Sequence, residues 1–96
     1  MEDKNNPDEF YKKLKGQLED TTTFPTSYMY KFIVPTSEAR IEEVMAIFDN
    51  LGAIIDTKKS KTGKYTSITI QLVMQDADSI ILKYKEVSKI DGVISL

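Results

Sequence analysis

The residues best suited to chemistry are lysines, four of which lie within the seven residues 58–64. Ammonium groups beside hydroxyl groups and the backbone N–H groups of a helix start can hold a phosphate or a carboxylate. The predicted topology places these lysines at the same end of the sheet as a helix start that carries two hydroxyl groups. We therefore predict a site for a small anionic metabolite. The predicted ligand-binding residues are Thr36, Ser37, Lys58, Lys61 and Lys64. The alternative is a solvated hairpin tip whose lysines discourage edge-to-edge pairing of sheets.

The residue types that are missing exclude most catalytic and metal sites. The 96-residue sequence has no Cys, His or Trp, so it has no thiolate nucleophile, no disulfide and none of the usual nitrogen or sulfur ligands of zinc. Imidazole, the side chain that most often transfers protons near neutral pH, is missing too. We find no arrangement of the remaining polar residues that predicts catalysis. The sequence therefore predicts a non-enzymatic protein with no metal site and no cofactor.

Net charge and hydropathy bear on location and on nucleic-acid binding. The formal net charge is −2, whereas binding to a phosphate backbone requires a basic excess. No apolar run approaches the roughly 20 residues needed to cross a bilayer. The polar, acidic start at 1–8 is unlike a secretory signal. We expect a cytoplasmic protein that has no membrane contact and for which nucleic acid is a disfavoured partner.

Two segments alternate between core-facing and outward-facing residues, as strands do. In the first, 28–34, the even-numbered residues are assigned to the core because Lys31 prefers water. In the second, 65–74, the even-numbered residues from Ile68 onward are apolar and take the same side. The opposite side of the sheet mixes apolar and polar residues, and we predict that it is a partner interface. The predicted interface residues are Met29, Lys31, Ile33, Tyr65 and Val73.

Three occupants of this predicted interface are open. The helix predicted at 7–20 has an apolar stripe, formed by Phe10, Leu14 and Leu18, that would cover it. A second copy of the chain, giving a homodimer, or an unrelated protein partner would cover it as well. RNA binding through this open sheet face is a separate function, and we rank it third, after a regulatory or binding domain and a homo-oligomeric adaptor. RNA-binding domains of this topology stack several aromatic residues on this face, whereas this chain offers Tyr65 alone.

Two longer amphipathic helices are predicted between the strands. The first follows Ser37 or Thr36, either of which is suited to be its N-cap, and runs to Leu51, with Gly52 placed to end it in the left-handed conformation. The second opens at Asp76 or Asp78, since a carboxylate can accept hydrogen bonds from the first turn of a helix. Both helices present one apolar side for packing against a sheet.

Short strands predicted at 53–57 and 93–96 complete the element order β-α-β-β-α-β. Right-handed crossovers then place both longer helices on one face of a four-stranded antiparallel sheet. The predicted fold class is α+β, ferredoxin-like, with an extra N-terminal helix. We divide the chain into a disordered tail at 1–6 and a single ferredoxin-like domain at 7–96, in which 7–20 is the appended helix.

Several short motifs point to a known family. They are Phe24-Pro25-Thr26, Tyr30-Lys31, Gly63-Lys64-Tyr65-Thr66-Ser67-Ile68-Thr69, Tyr84, and Ile90-Asp91 with Val93. Together they resemble the YbeD-like family of small bacterial proteins of unknown function, over roughly residues 14 to 96. The resemblance implies a ferredoxin-like fold similar to that of ACT domains, which are regulatory modules that bind amino acids. It implies no established activity and no catalytic residues.

The chain departs from ACT domains in the loop after the first predicted strand. ACT domains usually carry a Gly there, where an amino acid approaches the backbone, whereas this chain has Val34-Pro35-Thr36-Ser37-Glu38. Pro35 also removes a backbone hydrogen-bond donor. We predict a non-enzymatic regulatory or binding domain, ACT-like in architecture, that docks a protein partner or a small anionic metabolite. The alternative is a homo-oligomeric adaptor or structural protein without a small ligand.

Overall fold

Seven helices and strands follow one another in a computed structural model, which describes residues 7–95. In chain order they are α1 (Pro7–Thr21), β1 (Thr26–Pro35), α2 (Glu38–Ile47), β2 (Ile54–Lys59), β3 (Tyr65–Met74), α3 (Ala77–Val87) and β4 (Ile94–Ser95). The disordered tail predicted at 1–6 lies outside the described residues. Leu96, which we predicted to end the last strand, lies outside them as well.

The four strands form one antiparallel sheet in the order β2-β3-β1-β4. The central strands β1 and β3 are paired along their whole length, with Phe32 opposite Ile68. β2 pairs with the other side of β3, and the short β4 pairs with β1 at Phe32 and Ile33. The predicted fold class is confirmed: α+β with a four-stranded antiparallel sheet, two helices between the strands and an extra N-terminal helix.

The core lies between the sheet and the helices, and it follows from the alternation in β1 and β3. Tyr30 is fully buried, and its ring centroid lies 5.0 Å from that of Phe48 and 4.8 Å from that of Tyr84. Burying one large apolar side chain contributes roughly 1.5–3 kcal/mol, so these residues are the main source of stability. The largest fully buried side chains of the described residues besides Tyr30 are Phe32, Val34, Val44, Phe48, Thr66, Ile68, Ile70, Ile80 and Val87.

Helix α2 begins where predicted but ends earlier. Ser37 is its N-cap, and the Ser37 Oγ accepts a hydrogen bond from the first helical turn at 3.4 Å. The helix ends at Ile47, not at Leu51 as predicted. The backbone turns at Asn50 and Gly52, whose φ angles of 62° and 71° are left-handed. Gly52 therefore has the predicted conformation, but it belongs to the loop that reverses the chain towards β2.

Helix α1 lies beside α3 and packs on the core side of the sheet. Leu18 is buried in the core and Leu14 packs against it, while Lys15 Nζ lies 3.0 Å from Asp78 Oδ1 on α3. The arrangement in which this helix covers the predicted interface is therefore wrong. The physical reason is that its apolar stripe is narrow, so once Leu14 and Leu18 face the core no second apolar side is left for the other face of the sheet.

The β2–β3 hairpin has a shorter turn than predicted. β2 runs from Ile54 to Lys59, so Lys58 belongs to a strand and not to the turn. The turn itself includes Gly63, whose φ of 76° is left-handed and whose N–H donates a hydrogen bond to the Ser60 carbonyl oxygen at 2.9 Å. The lysine cluster is consequently divided between a strand and a turn.

Candidate functional site

The candidate site is the sheet face that points away from α2 and α3, called the open face below. Its side chains come from alternate residues of all four strands, because paired residues in an antiparallel sheet point to the same side. The residues of the open face are Ser27, Met29, Lys31, Ile33, Ile54, Asp56, Lys58, Tyr65, Ser67, Thr69, Gln71, Val73 and Ile94.

Large apolar side chains are concentrated on the open face. Of the nine large hydrophobic residues that are exposed in the described part of the chain, five lie here, and each is between 48% and 67% exposed. They are Met29, Ile54, Tyr65, Val73 and Ile94. Single exposed apolar residues are ordinary, but a cluster on one face marks an interaction surface. Covering it releases roughly 25 cal/mol for each Å² of apolar area removed from water.

The strand register separates the apolar side chains of the open face into two groups. Gln71 pairs with Met29 on one side and with Ile54 on the other, while Ile33 pairs with Ile94 further along the sheet. The first group is Met29, Ile54 and Val73, and the second is Ile33, Tyr65 and Ile94. A partner surface would therefore contact two apolar areas.

One charged row crosses the open face between the two apolar groups. Thr69 pairs with Lys31 on one side and with Asp56 on the other. Because neighbouring strands are about 4.8 Å apart, the backbones at Lys31 and Asp56 are roughly 10 Å apart. Both side chains are exposed, and neither takes part in the ion pairs found among residues 7–95. The row is thus positive on its β1 side and negative on its β2 side.

All five residues predicted for a partner interface lie on the open face, and sequence reasoning missed two of its apolar members. The missed residues are Ile54 and Ile94, which are both more than half exposed. Ile54 begins an alternation that continues through Asp56 and Lys58, and that pattern was the available signal. Ile94 belongs to a two-residue strand, which is too short for alternation to assign its side of the sheet.

The structure brings the residues predicted to bind an anion together only in part. Lys58 and Lys61 line a groove of about 310 Å³ on the open face, together with Ile33 and Tyr65. Ser37 lines a different groove of about 460 Å³, formed by α2 and the segment after α3. The remaining two predicted residues, Thr36 and Lys64, line neither of these grooves.

The polar groups at the start of α2 are occupied by bonds within the protein. The Thr36 N–H donates to the Lys64 carbonyl oxygen at 2.9 Å, and the Thr36 and Thr66 hydroxyl oxygens share a hydrogen bond of 2.9 Å. The Ser37 Oγ accepts from the Arg40 N–H at 3.4 Å. These bonds connect the helix start to the hairpin, so anion binding by Thr36 and Ser37 stays a prediction that their present geometry does not favour.

A cavity of about 420 Å³ lies between α1, α3 and the adjacent part of the sheet. Tyr28 and Tyr84 line it, and their hydroxyl oxygens share a hydrogen bond of 2.8 Å. Burial raises the pKa of the Tyr84 hydroxyl, and its hydrogen bond with Tyr28 raises that pKa further. The Tyr84 hydroxyl is therefore protonated at neutral pH, and its hydrogen bond with Tyr28 connects α3 to β1.

Residues 7–95 lack two features that would indicate particular functions. In that part of the chain, no group of three or more Asp, Glu, His or Cys side chains is placed to hold a metal ion. None of its helices combines the length and the apolar character that crossing a bilayer requires.

Comparisons with known proteins give a family and a fold. Residues 19–96 match the family described as "Protein of unknown function (DUF493)". The chain is 28% identical over 83 residues to a UPF0250 protein of Shewanella woodyi, covering 83% of this chain and 94% of that protein. It is 30% identical to a UPF0250 protein of Haemophilus ducreyi, covering 82% and 84%. The solution structure of protein HP0495 from H. pylori has a similar fold, with a TM-score of 0.64 at 19% identity, covering 79% and 86% of the two chains.

Proposed function

The chain belongs to the DUF493 family of proteins of unknown function, and we propose that it is a non-enzymatic regulatory domain that docks another protein on the open face of its sheet. The resemblance to the YbeD-like family of small bacterial proteins is confirmed by the family match and the UPF0250 relatives. Because this family has no characterised function, the proposal is argued from the surface itself.

The observation that supports docking is the exposure of the apolar side chains on the open face. Ile54 and Val73 expose a larger fraction of their surface than any other large hydrophobic residue described except Phe10. They lie on a regular sheet, so the backbone already holds them in place and little conformational entropy is lost when they are covered. A rigid surface with exposed apolar groups is suited to binding a complementary protein surface.

The polar side chains of the open face are compatible with being covered. The Gln71 Nε2 donates a hydrogen bond to the Ser27 Oγ at 3.2 Å, and the Ser67 Oγ donates to the Lys58 carbonyl oxygen at 3.3 Å. Removing water from an unpaired polar group costs about 1–3 kcal/mol. These two internal bonds lower that cost, which favours a protein partner over a surface that stays in water.

Two observations favour a binding domain over an enzyme. The sequence has no His and no Cys, and the tyrosines whose pKa is raised, Tyr30 and Tyr84, make hydrogen bonds inside the fold. A protein partner is favoured over a small anionic metabolite because the predicted hydroxyl groups already have hydrogen-bond partners and the predicted residues do not line one common groove. The proposal includes a cytoplasmic location, for which the acidic and cysteine-free composition is the support.

Site-specific photo-crosslinking in the cells that naturally produce the protein tests this proposal. A photo-reactive amino acid replaces Met29 on the open face in one variant and Leu82 on α3 in the other. The two positions are matched because each side chain is 56% exposed. We expect a discrete covalent adduct of defined mass from the Met29 variant and no such adduct from the Leu82 variant. Equal crosslinking at both positions, or none at Met29, contradicts the proposal.

A further inference from the structure

We infer that the protein docked on the open face is a second copy of this chain, related to the first by a twofold axis that runs parallel to β3. This inference rests on the proposed function, because it identifies the partner of the same surface. It follows from the charged row formed by Lys31, Thr69 and Asp56, from the apolar group on one side of that row, and from the size of the overlap.

The charged row is complementary to itself about this axis. Lys31 and Asp56 lie on opposite sides of Thr69, each one strand away from it. A twofold axis along β3, between two facing sheets, exchanges the β1 side with the β2 side. Lys31 of one copy then lies opposite Asp56 of the other, and symmetry makes the same pair a second time. Two attractive contacts form from charges that make no ion pair with another residue of 7–95.

The same charges disfavour the other face-to-face arrangement. A twofold axis across the strands would keep each strand on its own side, so Lys31 would lie opposite Lys31 and Asp56 opposite Asp56. Like charges placed directly opposite each other are repulsive and select against such a register. Lys31 and Asp56 therefore favour the arrangement with the axis along β3 over the arrangement with the axis across the strands.

One of the two apolar groups also matches about the axis along β3. Met29 and Ile54 lie on opposite sides of Gln71, so Met29 of one copy faces Ile54 of the other. On the other side of the charged row, Ile33 faces Lys58 of the other copy, and Ile94 lies outside the overlap. Val73 and Tyr65 lie on β3 itself and face their own counterparts. Facing sheets pack about 30° from parallel because each sheet is twisted, so the match is closest near Thr69, at the centre of the face.

The size of the open face predicts a weak and reversible dimer. Three strands, β1, β3 and β2, overlap about this axis, while β4 lies outside the overlap. The overlap is about 14 Å wide, and the stretch from Tyr65 to Val73 is about 27 Å long. Each copy would bury about 400 Å², or about 800 Å² in total, which is the size of a weak, transient contact. We expect a dissociation constant on the order of 100 μM.

The edges of the sheet are less suited to self-association. The edge strand β2 carries Lys58 and Lys59, and lysines on an edge oppose pairing with the same edge of another copy. On the opposite side of the sheet, β4 pairs with β1 at Phe32 and Ile33, so part of β1 also lies at that edge. Contact through the open face is therefore favoured over pairing between two β2 edges.

Four proteins compared by analytical ultracentrifugation test the inference. They are the wild type, Lys31→Glu, Asp56→Lys and the variant with both substitutions. Both side chains are exposed, so folding should be preserved, and circular dichroism checks this. Each single substitution places like charges opposite each other twice, and we expect the dissociation constant to rise about tenfold. The double variant restores two attractive pairs with exchanged signs, so we expect it to dimerise like the wild type.

Three results would overturn the inference. A wild type that stays monomeric up to about 1 mM would exclude self-docking. A dimer that neither single substitution weakens would use another surface. A double variant as weak as the single variants would contradict the pairing of Lys31 with Asp56. If the wild type is monomeric but crosslinks another protein through position 29, the self-association is excluded and the proposed docking function is retained. A monomeric wild type that gives no crosslink at position 29 would contradict both the self-association and the docking function.

Discussion

The Tyr30 hydroxyl donates a hydrogen bond of 3.0 Å to the Ile80 carbonyl oxygen, joining the centre of β1 to α3. Tyr30 is fully buried and its polar atom has this partner, so the bond is made away from water. It connects the strand that contributes Met29, Lys31 and Ile33 to the open face with the helix behind the sheet. The position of those exposed side chains thus depends on a bond inside the core.

Replacing Tyr30 by Phe should lower the free energy of unfolding by about 1–2 kcal/mol, since a buried hydrogen bond is lost while the ring is kept. Urea denaturation followed by circular dichroism measures the change. Tyr65→Phe is the control, because the Tyr65 side chain is exposed on the open face, and it should change stability little. Equal effects of the two substitutions would show that the bond to Ile80 contributes nothing.

High pH should destabilise the protein through its buried tyrosines. Burial raises the pKa of Tyr30 and of Tyr84 above the value of about 10 that tyrosine has in an unfolded chain. The unfolded state therefore releases these protons first, and the free energy of unfolding falls as the pH rises above about 10. Urea denaturation at pH 8 and pH 11 should show a smaller loss for Tyr84→Phe than for the wild type. An equal loss would exclude Tyr84 as a cause.

Two glycines should respond to alanine in opposite directions. At Gly92, where φ is +82°, a Cβ would lie 3.0 Å from the Pro35 Cδ, so Gly92→Ala should cost about 1–2 kcal/mol. At Gly16, inside α1, a Cβ would meet nothing within 4 Å, so Gly16→Ala should stabilise the protein by about 0.5–1 kcal/mol. Thermal unfolding of both variants measures this. A stabilising Gly92→Ala would disprove the strained turn.

The packing of α1 predicts that an alanine substitution destabilises the protein strongly at one end of the helix and weakly at the other. Leu18 is buried in the core while Phe10 is largely exposed. Leu18→Ala should therefore lower the free energy of unfolding by about 2–3 kcal/mol, whereas Phe10→Ala should lower it by less than about 1 kcal/mol. Urea denaturation distinguishes them, and the reverse order would mean that α1 packs by its other end.

The helices and strands could be predicted from the sequence because alternation and amphipathic spacing are local signals. The buried side of β1 was assigned correctly from the single preference of Lys31 for water. The end of α2 was assigned incorrectly, because Phe48 and Leu51 continue the helical spacing although the backbone already turns at Asn50. Local pattern therefore predicts which element forms better than where it stops.

The candidate site could be predicted from the sequence only in part, because it depends on strand register. The alternation of β1 and β3 predicted that Met29 and Val73 share one face. Lys31 and Asp56 lie on opposite sides of Thr69 because three strands pair in one register. No local sequence pattern specifies that register. The separation of Ser37 from Lys58 has the same origin, since each belongs to a different layer of the fold.

The methionine methyl groups provide a direct measurement of docking on the open face. Met29 lies on that face, whereas Met45 is an exposed residue of α2, so one protein labelled with ¹³C at its methionine methyl groups contains both probe and control. Its NMR spectrum is recorded between about 10 μM and 1 mM and again in an extract of its native cells. We predict that the Met29 signal shifts or broadens selectively while the Met45 signal stays. Equal behaviour of Met29 and Met45 under both conditions would contradict docking on the open face.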